Sequence, residues 1–379
     1  MSEQNKSIDV FISVSEVQQF LRCRRMWDFV SHNRQSLVRS GLPTLSLHSG
    51  TLVHSALHAH AQGGDPIATL KLKAAEAEAK AVAEYQKVVG ASPASEELTN
   101  LNDARELCMS VVRNYFAHWG DKPVAPLEYL KTEIAFRVPV DVNIPGKNVF
   151  LIGTFDGIAR SASGKRLWIV DHKTFTRRTD ARYLIRNFQF VAYVWAAKSL
   201  FGDQVAGLLY DGVWMKQPVI PEVLKSGALS KKAIDTTPAV YLACLQELGL
   251  NPADYGEFIS ELTRKQLDPA SSFFVRHEFM YSDGGLRTFE REVTAALRDM
   301  VNSPSIYANF RWEGCWDCQI TDLCDAVQLE EDVDFLIKHK YKRDTYDTVK
   351  AVKALQPTQA KEFLDEHAGK GVATNTASA

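Results

Sequence analysis

A short apolar run that ends in charge, Leu167 to Lys173, constrains the fold of this chain most. Four apolar residues come first, and Asp171, His172 and Lys173 follow directly. Such a run predicts a buried β-strand. Side chains alternate along a strand, so Asp171 and Lys173 lie on one face and His172 on the other. Because a lone buried charge is costly, the acid and the lysine must be paired or solvated.

Other β-rich runs flank this strand. Strands are predicted at residues 133–140 and 149–159 before it and at residues 205–215 after it. A helix predicted at residues 181–200 joins the last two strands. Strands before and after a single crossover helix predict a small mixed α/β sheet flanked by helices. The other predicted elements are a helix opened by the capping box Ser13-Val-Ser-Glu16 and carrying Cys23, helices at 50–61, 70–89, 101–119, 236–248 and 286–301, and a strand at 273–281.

Composition narrows the class of protein. The chain has 379 residues, of which 45% are hydrophobic and 24% charged, so it can bury a sizeable core. Its 44 basic and 46 acidic residues give a net charge of −2, which excludes a histone-like basic coat but allows a local basic groove. No run approaches the roughly 18 apolar residues of a membrane span. The polar start, Met1 to Asp9, predicts no signal peptide, and we expect a cytoplasmic protein.

The chemistry of the site follows from a second acid. Asp156 lies within the predicted strand that precedes Leu167, with a glycine on each side. Two carboxylates from adjacent strands can hold Mg²⁺ or Mn²⁺ against a phosphate oxygen, and a lysine beside them can stabilise developing charge. Asp156, Asp171 and Lys173 therefore form a candidate site for phosphodiester hydrolysis. The alternative for an isolated Asp-x-Lys is a surface salt bridge at the end of a strand.

Four polar residues on the predicted helix after Lys173 form a second candidate feature. They are Arg182, Arg186, Gln189 and Tyr193, spaced by four, three and four positions. At helical periodicity this spacing places them in one stripe, and the opposite side of the helix is apolar. Phosphate is a suitable partner for the two arginines. An ordinary amphipathic helix that faces water is the alternative.

The motifs together resemble the RecB-type branch of the PD-(D/E)XK nucleases, which includes the CRISPR-associated RecB-like exonucleases and related phage exonucleases. Gly50-Thr-Leu-Val-His54 resembles the Gly-x-x-x-His motif of that family, Gly153-Thr-Phe-Asp156 the strand with its first acid, Asp171-His-Lys173 its acid-x-lysine, and Gln189-Phe-Val-Ala-Tyr193 its Gln-x-x-x-Tyr motif. The chain departs from the family at His58, where members often have an acid four residues after the histidine.

The resemblance implies a restriction-endonuclease-like core with helical insertions. It also implies that His54, Asp156 and Asp171 bind Mg²⁺ or Mn²⁺ and that Lys173 is catalytic. The Gln-x-x-x-Tyr motif is expected to contact DNA or to support the site, and the arginines of the same predicted helix are expected to contact DNA. A histidine ligand tilts the choice of ion slightly toward manganese.

The cysteines indicate a further metal centre. Cys315, Cys318 and Cys324 form a C-x2-C-x5-C group, and Cys23 lies far upstream. Four thiolates suit either a [4Fe–4S] cluster or structural zinc, and the spacing does not choose between them. The resemblance favours iron–sulfur, because cluster-containing relatives have one cysteine before the nuclease core and such a group after it. The cluster would hold the two ends of the chain together.

The expected activity is a metal-dependent deoxyribonuclease, an exonuclease rather than an endonuclease, in recombination, repair or phage DNA processing. The alternatives are a catalytically silent nuclease-fold module that binds DNA, and the nuclease subunit of a larger helicase–nuclease complex. The sequence has no G-x-x-x-x-G-K-[ST] phosphate loop, so a helicase would have to act in trans. We predict a nuclease domain at 1–330 with a helical insertion at about 62–127, a helical extension at 331–367 and a disordered tail at 368–379.

Overall fold

The structure, a computed structural model, describes residues 7–40, 45–90, 92, 95–120, 124, 126–161, 166–302, 304–310, 315–316, 318–344 and 353–367. The tail at 368–379, predicted to be disordered, lies outside the described residues. The strands are β1 (Ile8–Ser13), β2 (Leu37–Arg39), β3 (Glu128–Val140), β4 (Lys147–Arg160), β5 (Leu167–Phe175), β6 (Val205–Trp214), β7 (Phe274–Phe279) and β8 (Tyr341–Arg343). The helices are α1 (Val14–Arg22), α2 (Arg24–Val30), α3 (Leu45–Ala61), α4 (Pro66–Val89), α5 (Ser95–Trp119), α6 (Ala181–Leu184), α7 (Phe188–Phe201), α8 (Pro238–Glu247), α9 (Gly256–Leu267), α10 (Asp283–Val301), α11 (Thr321–Leu329), α12 (Val333–Lys340) and α13 (Ala360–Glu366).

The prediction of a mixed sheet flanked by helices is confirmed. β4 is its central strand: β3 pairs along one edge, and β1 and then β5 pair along the other. β6 and β7 continue the sheet beyond β5. The pairs β1–β4 and β5–β6 are parallel, and the remaining pairs of this sheet are antiparallel. α7 forms the crossover that the parallel pair β5–β6 requires.

The sheet is split where the candidate acids lie. The pairing of β1 with β4 ends at Ser13 and Ile152, and the pairing of β5 with β4 begins at Gly157 and Val170. Within the described sheet, no strand pairs with residues 153–156 along that edge of β4. If the β4–β5 register is continued by one residue, Asp156 stands opposite Asp171. The split therefore opens the sheet beside two carboxylates.

Two helix predictions are wrong in detail. The helix predicted at 181–200 is two helices, α6 and α7, because the chain turns at residues 185–187 and the Asn187 side chain caps α7 by accepting a hydrogen bond from the N–H of Gln189. α7 packs between the sheet and helices α1 and α10, so most of its residues are buried and it has no water-facing side of its own. Cys23, predicted to lie within the first helix, is extended and separates α1 from α2.

Helices cover both faces of the sheet. α7 and α10 pack on the face that carries Asp171, while α3, α4 and α5 pack together near Val213 and Phe274 on the other face. α8 and α9 lie between β6 and β7 in the chain and form a separate apolar cluster. Of these two helices, α9 was not predicted. α13 packs on α7 through the rings of Phe363 and Phe201, with centroids 5.8 Å apart. No described helix is both long enough and apolar enough to cross a bilayer.

Candidate active site

Asp171 and Lys173 form an ion pair at the end of β5. Asp171 is completely buried. Its Oδ1 accepts hydrogen bonds from Lys173 Nζ at 3.2 Å and from Gln189 Nε2 at 3.4 Å. Its Oδ2 lies 3.1 Å from Lys173 Nζ but accepts no hydrogen bond from the residues that the structure describes. Buried carboxylate oxygens normally have a partner, so this oxygen has an unused ligating capacity.

The Asp156 side chain lies beside β5 and is held by the backbone of that strand. The Asp156 Oδ2 atom accepts a hydrogen bond of 2.8 Å from the N–H of His172. His54 Nδ1, which belongs to α3, lies 3.5 Å from the same oxygen. The structure thus brings His54 to Asp156. It also places Asp156 opposite Asp171, one residue beyond the last paired residues of β4 and β5. These contacts join three elements, α3, β4 and β5, at the split in the sheet.

The electrostatics of the site favour a bound cation. Burial, reinforced by the charge of Asp156 and opposed by Lys173, raises the pKa of Asp171 to about 6. Burial and the positive charges of His172 and Lys173 lower the pKa of His54 to about 4, so its imidazole is neutral at pH 7. A divalent ion would offset the repulsion between the two carboxylates, and it binds an imidazole only in the neutral form.

The donor set fits Mg²⁺ or Mn²⁺. Two carboxylates are hard oxygen ligands, a neutral imidazole is acceptable to Mn²⁺, and one carboxylate oxygen of Asp171 has no hydrogen bond. Among the residues that the structure describes, no three His, Cys, Asp or Glu side chains are already gathered around one point. The ligands would therefore have to close on the ion as it binds.

Gln189 and Tyr193 of α7 support the site in different ways. Gln189 donates to Asp171, as described above. Tyr193 is buried edge-on against the rings of Phe136 and Phe155, at centroid distances of 5.7 and 5.4 Å. Both residues line a cavity of about 510 Å³ at the split in the sheet, which the start of α1 also borders. Gln189 is thus placed to hold Asp171 in position, while Tyr193 packs the wall behind it.

The two arginines of the predicted stripe lie outside α7. Arg182 is on α6, is largely exposed, and donates hydrogen bonds to Asp180 at 2.8 to 3.1 Å. Arg186 is exposed in the turn before α7. The stripe that helical periodicity predicted is therefore interrupted between Arg186 and Gln189. Both arginines are exposed to solvent.

Sequence reasoning missed two groups next to the site. Glu133 borders a cavity of about 600 Å³ together with His54 and His58, and its backbone φ of 52° is rare for a residue other than glycine. No sequence signal marks that conformation. Asp211 binds the ring of His172 behind β5. Its signal was present, because a single acid inside the apolar run of β6 needs a buried partner.

Three of the four cysteines pack on one apolar cluster at the C-terminal end of α1, although no three His, Cys, Asp or Glu side chains of the described residues are gathered around one point there. Cys23, Cys318 and Cys324 are partly buried against the apolar cluster formed by α2, α11 and Tyr341. Cys315 is exposed, and its Sγ lies 3.9 Å from the carbonyl oxygen of Asn309. Burial is the main reason that the pKa of the Cys318 thiol is raised, and Cys23 and Cys324 raise it further.

Nitrogen donors point at two of these sulfurs. The backbone N–H of Asn309 donates to Cys23 Sγ at 3.4 Å, and Arg25 donates to Cys324 Sγ at 3.6 Å. Such hydrogen bonds stabilise thiolate ligands of iron–sulfur centres. Residues 311–314 and 317, which lie next to Cys315 and Cys318, are outside the described part of the chain.

Comparison with known proteins gives a family match. A family model described as the PD-(D/E)XK nuclease superfamily matches residues 12–325. The match extends from the end of β1 to the last cysteine of the C-x2-C-x5-C group, so it includes the sheet, the helical segment α3–α5 and the candidate acids. No curated protein matches the sequence.

Proposed function

The chain belongs to the PD-(D/E)XK nuclease superfamily, and from that premise we propose that it is a divalent-metal-dependent deoxyribonuclease whose site is built from Asp156, Asp171 and Lys173. Members of this superfamily are generally metal-dependent nucleases that use Mg²⁺ or Mn²⁺. The observation that carries the proposal is the buried Asp171 carboxylate, which has one oxygen without a hydrogen bond and lies beside Lys173 at the split in the sheet.

Each residue has a role that its contacts support. His54, Asp156 and Asp171 would hold the ion, and the ion when bound would supply positive charge against the phosphate. Lys173, held at the acid, can donate a hydrogen bond to the attacking water or to a phosphate oxygen in the transition state. Gln189 keeps Asp171 oriented through the bond to Oδ1.

We further propose that the substrate is DNA cut from an end, as in the RecB-type branch. The order and spacing of the Gly-x-x-x-His and Gln-x-x-x-Tyr motifs support this assignment, since His54 and Gln189 both contact the acids in the folded chain. Recombination, repair or phage DNA processing would be the setting. Arg182 and Arg186 are proposed to meet phosphates of the DNA outside the site, because both are exposed.

The four cysteines Cys23, Cys315, Cys318 and Cys324 are proposed to bind a [4Fe–4S] cluster, with structural zinc as the competing assignment. The packing of Cys23, Cys318 and Cys324 on one apolar cluster and the nitrogen donors to two of their sulfurs support a thiolate site. Its role would be to tie the turn between α1 and α2 to the segment around α11.

The nuclease proposal is tested with DNA labelled at one end, single- and double-stranded, with and without Mg²⁺ or Mn²⁺. Wild type should release labelled products only with metal, and Lys173→Ala should lower the rate at least about 100-fold, as loss of a transition-state donor does. Lys265→Ala, at a half-buried lysine paired with Glu261 on α9, is the matched control and should cut at the wild-type rate. Equal rates in Lys173→Ala and wild type would contradict the proposal, and no cleavage by wild type would favour a module that only binds DNA.

A further inference from the structure

A buried polar network lies behind the candidate catalytic strand. His172 faces away from Asp171, and its Nδ1 lies 2.8 Å from Asp211 Oδ2. Asp211 is directly opposite His172 in the β5–β6 register and is completely buried. Tyr129 on β3 reaches the other ring nitrogen of His172, with 3.0 Å between its hydroxyl and Nε2. Both nitrogens of the ring are therefore engaged.

The Asp211 carboxylate is also held from two other elements. Arg276 on β7 donates from Nε to Asp211 Oδ1 at 2.8 Å. The Tyr115 hydroxyl, on α5, donates to Asp211 Oδ2 at 2.5 Å and accepts a hydrogen bond of 3.1 Å from Arg276. The guanidinium of Arg276 lies over the Trp119 ring, 3.7 Å from its centroid. α5 of the helical segment thus contributes a donor and an aromatic face to the network.

The network keeps one charge fixed in the interior. Burial acts to raise the pKa of Asp211, but the hydrogen bond from His172 and the charge of Arg276 outweigh burial and hold the pKa at about 2. A buried carboxylate with charge-assisted hydrogen bonds to each oxygen is rigid, because any displacement leaves a charge or a donor without a partner.

His172 connects this rigid group to both proposed ligands on α3 and β4. Its backbone N–H donates to Asp156 Oδ2 at 2.8 Å. Its ring meets the His54 ring edge to face, with centroids 6.0 Å apart and planes at 88°. The residue therefore touches two of the three proposed metal ligands while its side chain is anchored to Asp211.

We propose that Asp211 and Tyr115 are positioning residues for the divalent ion: they hold His172, and through it His54 and Asp156, in the geometry that the ion requires. The inference rests on the proposed function. It assigns to α5, through Tyr115, a part in metal affinity that the distance of Tyr115 in sequence from the acids does not indicate. Residues that orient metal ligands from behind typically change metal affinity about 10- to 100-fold when they are lost.

The competing explanation is that the network only holds β5, β6, β7 and α5 together. In that case its loss would lower the melting temperature and leave the metal affinity of the folded protein unchanged. The two explanations are separated by a binding measurement on folded, metal-free protein, which does not depend on activity.

The test is a calorimetric titration of purified protein with Mn²⁺ in the absence of DNA. Tyr115→Phe removes one hydroxyl and keeps the ring; we expect about tenfold weaker binding. Asp211→Asn should weaken binding further, within the 10- to 100-fold range. Tyr241→Phe is the matched control, because Tyr241 is equally buried and donates to the carbonyl of Ser230 at 3.2 Å in the α8–α9 cluster. It should bind Mn²⁺ as wild type does.

A second readout separates positioning from catalysis. The half-saturating Mn²⁺ concentration for DNA cleavage should rise in Tyr115→Phe, while the rate at saturating Mn²⁺ returns to within about twofold of wild type, as expected for a loss of affinity alone. Wild-type Mn²⁺ affinity in Tyr115→Phe would overturn the inference, and this variant decides if Asp211→Asn does not fold. Absence of Mn²⁺ binding by wild type would instead overturn the proposed function, and the inference with it.

Discussion

At the residue scale, the Asp171 carboxyl combines two properties that stability alone would not select. It is completely buried, and its second oxygen lacks a hydrogen bond. Burial is the largest cause of its raised pKa. A protein that needed only a stable strand would place an apolar residue here, and we therefore propose that the acid is kept for function at a cost in stability. Two predictions follow from its ionisation.

The first prediction concerns pH and metal together. A divalent ion binds the ionised form of Asp171, whose pKa is about 6 in the metal-free protein. At limiting Mn²⁺, cleavage should therefore fall roughly tenfold per pH unit below about pH 6, and saturating Mn²⁺ should move that fall to lower pH. A pH–rate profile at both Mn²⁺ concentrations measures this. A profile that is flat from pH 5 to 8 at limiting Mn²⁺ would speak against Asp171 as a ligand.

The second prediction concerns stability without metal. The folded protein binds a proton at Asp171 more tightly than the unfolded chain does, so this group lowers stability as pH rises from about 4 to about 6. Asp171→Asn should raise the free energy of unfolding at pH 7 by about 1 to 3 kcal/mol, less at pH 4.5, and abolish cleavage. Urea unfolding with a chelator present measures the difference. Asp254→Asn, at an exposed carboxylate, is the control and should change the free energy of unfolding by less than about 0.5 kcal/mol. Destabilisation of Asp171→Asn at both pH values would refute the prediction.

At the element scale, β4 organises the site because it changes partners. Its first half pairs with β1 and its last residues with β5, and the stretch between them opens the sheet. Gly153 lies at the start of this opening, where the Phe136 ring packs on the backbone. A Cβ added at Gly153 would lie 2.6 Å from a Phe136 ring atom and 3.4 Å from Tyr193. The glycine is thus required by close packing behind the site.

The third prediction tests that packing. Gly153→Ala should lower the free energy of unfolding by about 1 to 3 kcal/mol, because the Phe136 ring has to move. It should also lower cleavage, since Tyr193 packs on the same ring. Gly256→Ala is the matched control: nothing lies within 4 Å of its added Cβ, its backbone is helical at the start of α9, and the change should be neutral or stabilising by up to about 1 kcal/mol. Equal unfolding energies for the two variants would contradict the packing account.

The sequence predicted the local parts of these elements well. Alternation along a strand is a local property. The shared face of Asp171 and Lys173, and the position of His172 on the opposite face, therefore follow from the sequence alone. The capping box at Ser13 is also local, and it is present. The turn at residues 185–187 was missed, because the apolar and polar spacing continues through it while the Asn187 cap starts a new helix.

At the scale of the whole molecule, the two ends of the matched region meet. Cys23 follows α1, and the other three cysteines follow residue 314, yet Asn309 binds both Cys23 Sγ and the carbonyl of Arg22. β8 pairs with β2, and Tyr341 packs in the same apolar cluster as three of the cysteines. The chain after the cysteines is therefore packed against the N-terminal segment. A metal centre at this junction would bind residues about 300 positions apart in sequence.

The fourth prediction concerns that centre. Protein purified without oxygen should be brown and should contain iron and acid-labile sulfide in equal amounts, about four of each per chain. Cys318→Ser should lose both and should melt at a lower temperature, because the two ends are no longer linked. Cys244→Ser, at a cysteine of the α8–α9 cluster, is the control and should keep the iron. A colourless protein with one zinc per chain would replace the iron–sulfur assignment by structural zinc.

The long-range arrangement of strands and helices could not be predicted from the sequence. The parallel pairing of β1 with β4, which creates the split, joins residues nearly 140 positions apart and leaves no local signal. The contact of Tyr115 with Asp211 arises only when the helical segment packs on the sheet. Asp156, Asp171 and Lys173 could be predicted as a site because their chemistry is specific, and their catalytic role stays a prediction. The residues that hold these side chains in place could not be predicted, because buried hydrogen bonds depend on which surfaces meet in the folded chain.

The position of a bound ion would test whether Asp156, Asp171 and His54 hold one divalent metal. Crystals soaked in Mn²⁺ would be examined for anomalous scattering at the manganese edge. We expect one strong peak at the split in the sheet, with oxygens of Asp156 and Asp171 and a nitrogen of His54 at about 2.0 to 2.3 Å, and no such peak in Asp171→Asn. A cleavage-active protein whose peak lies elsewhere, or persists at full strength in Asp171→Asn, would contradict it.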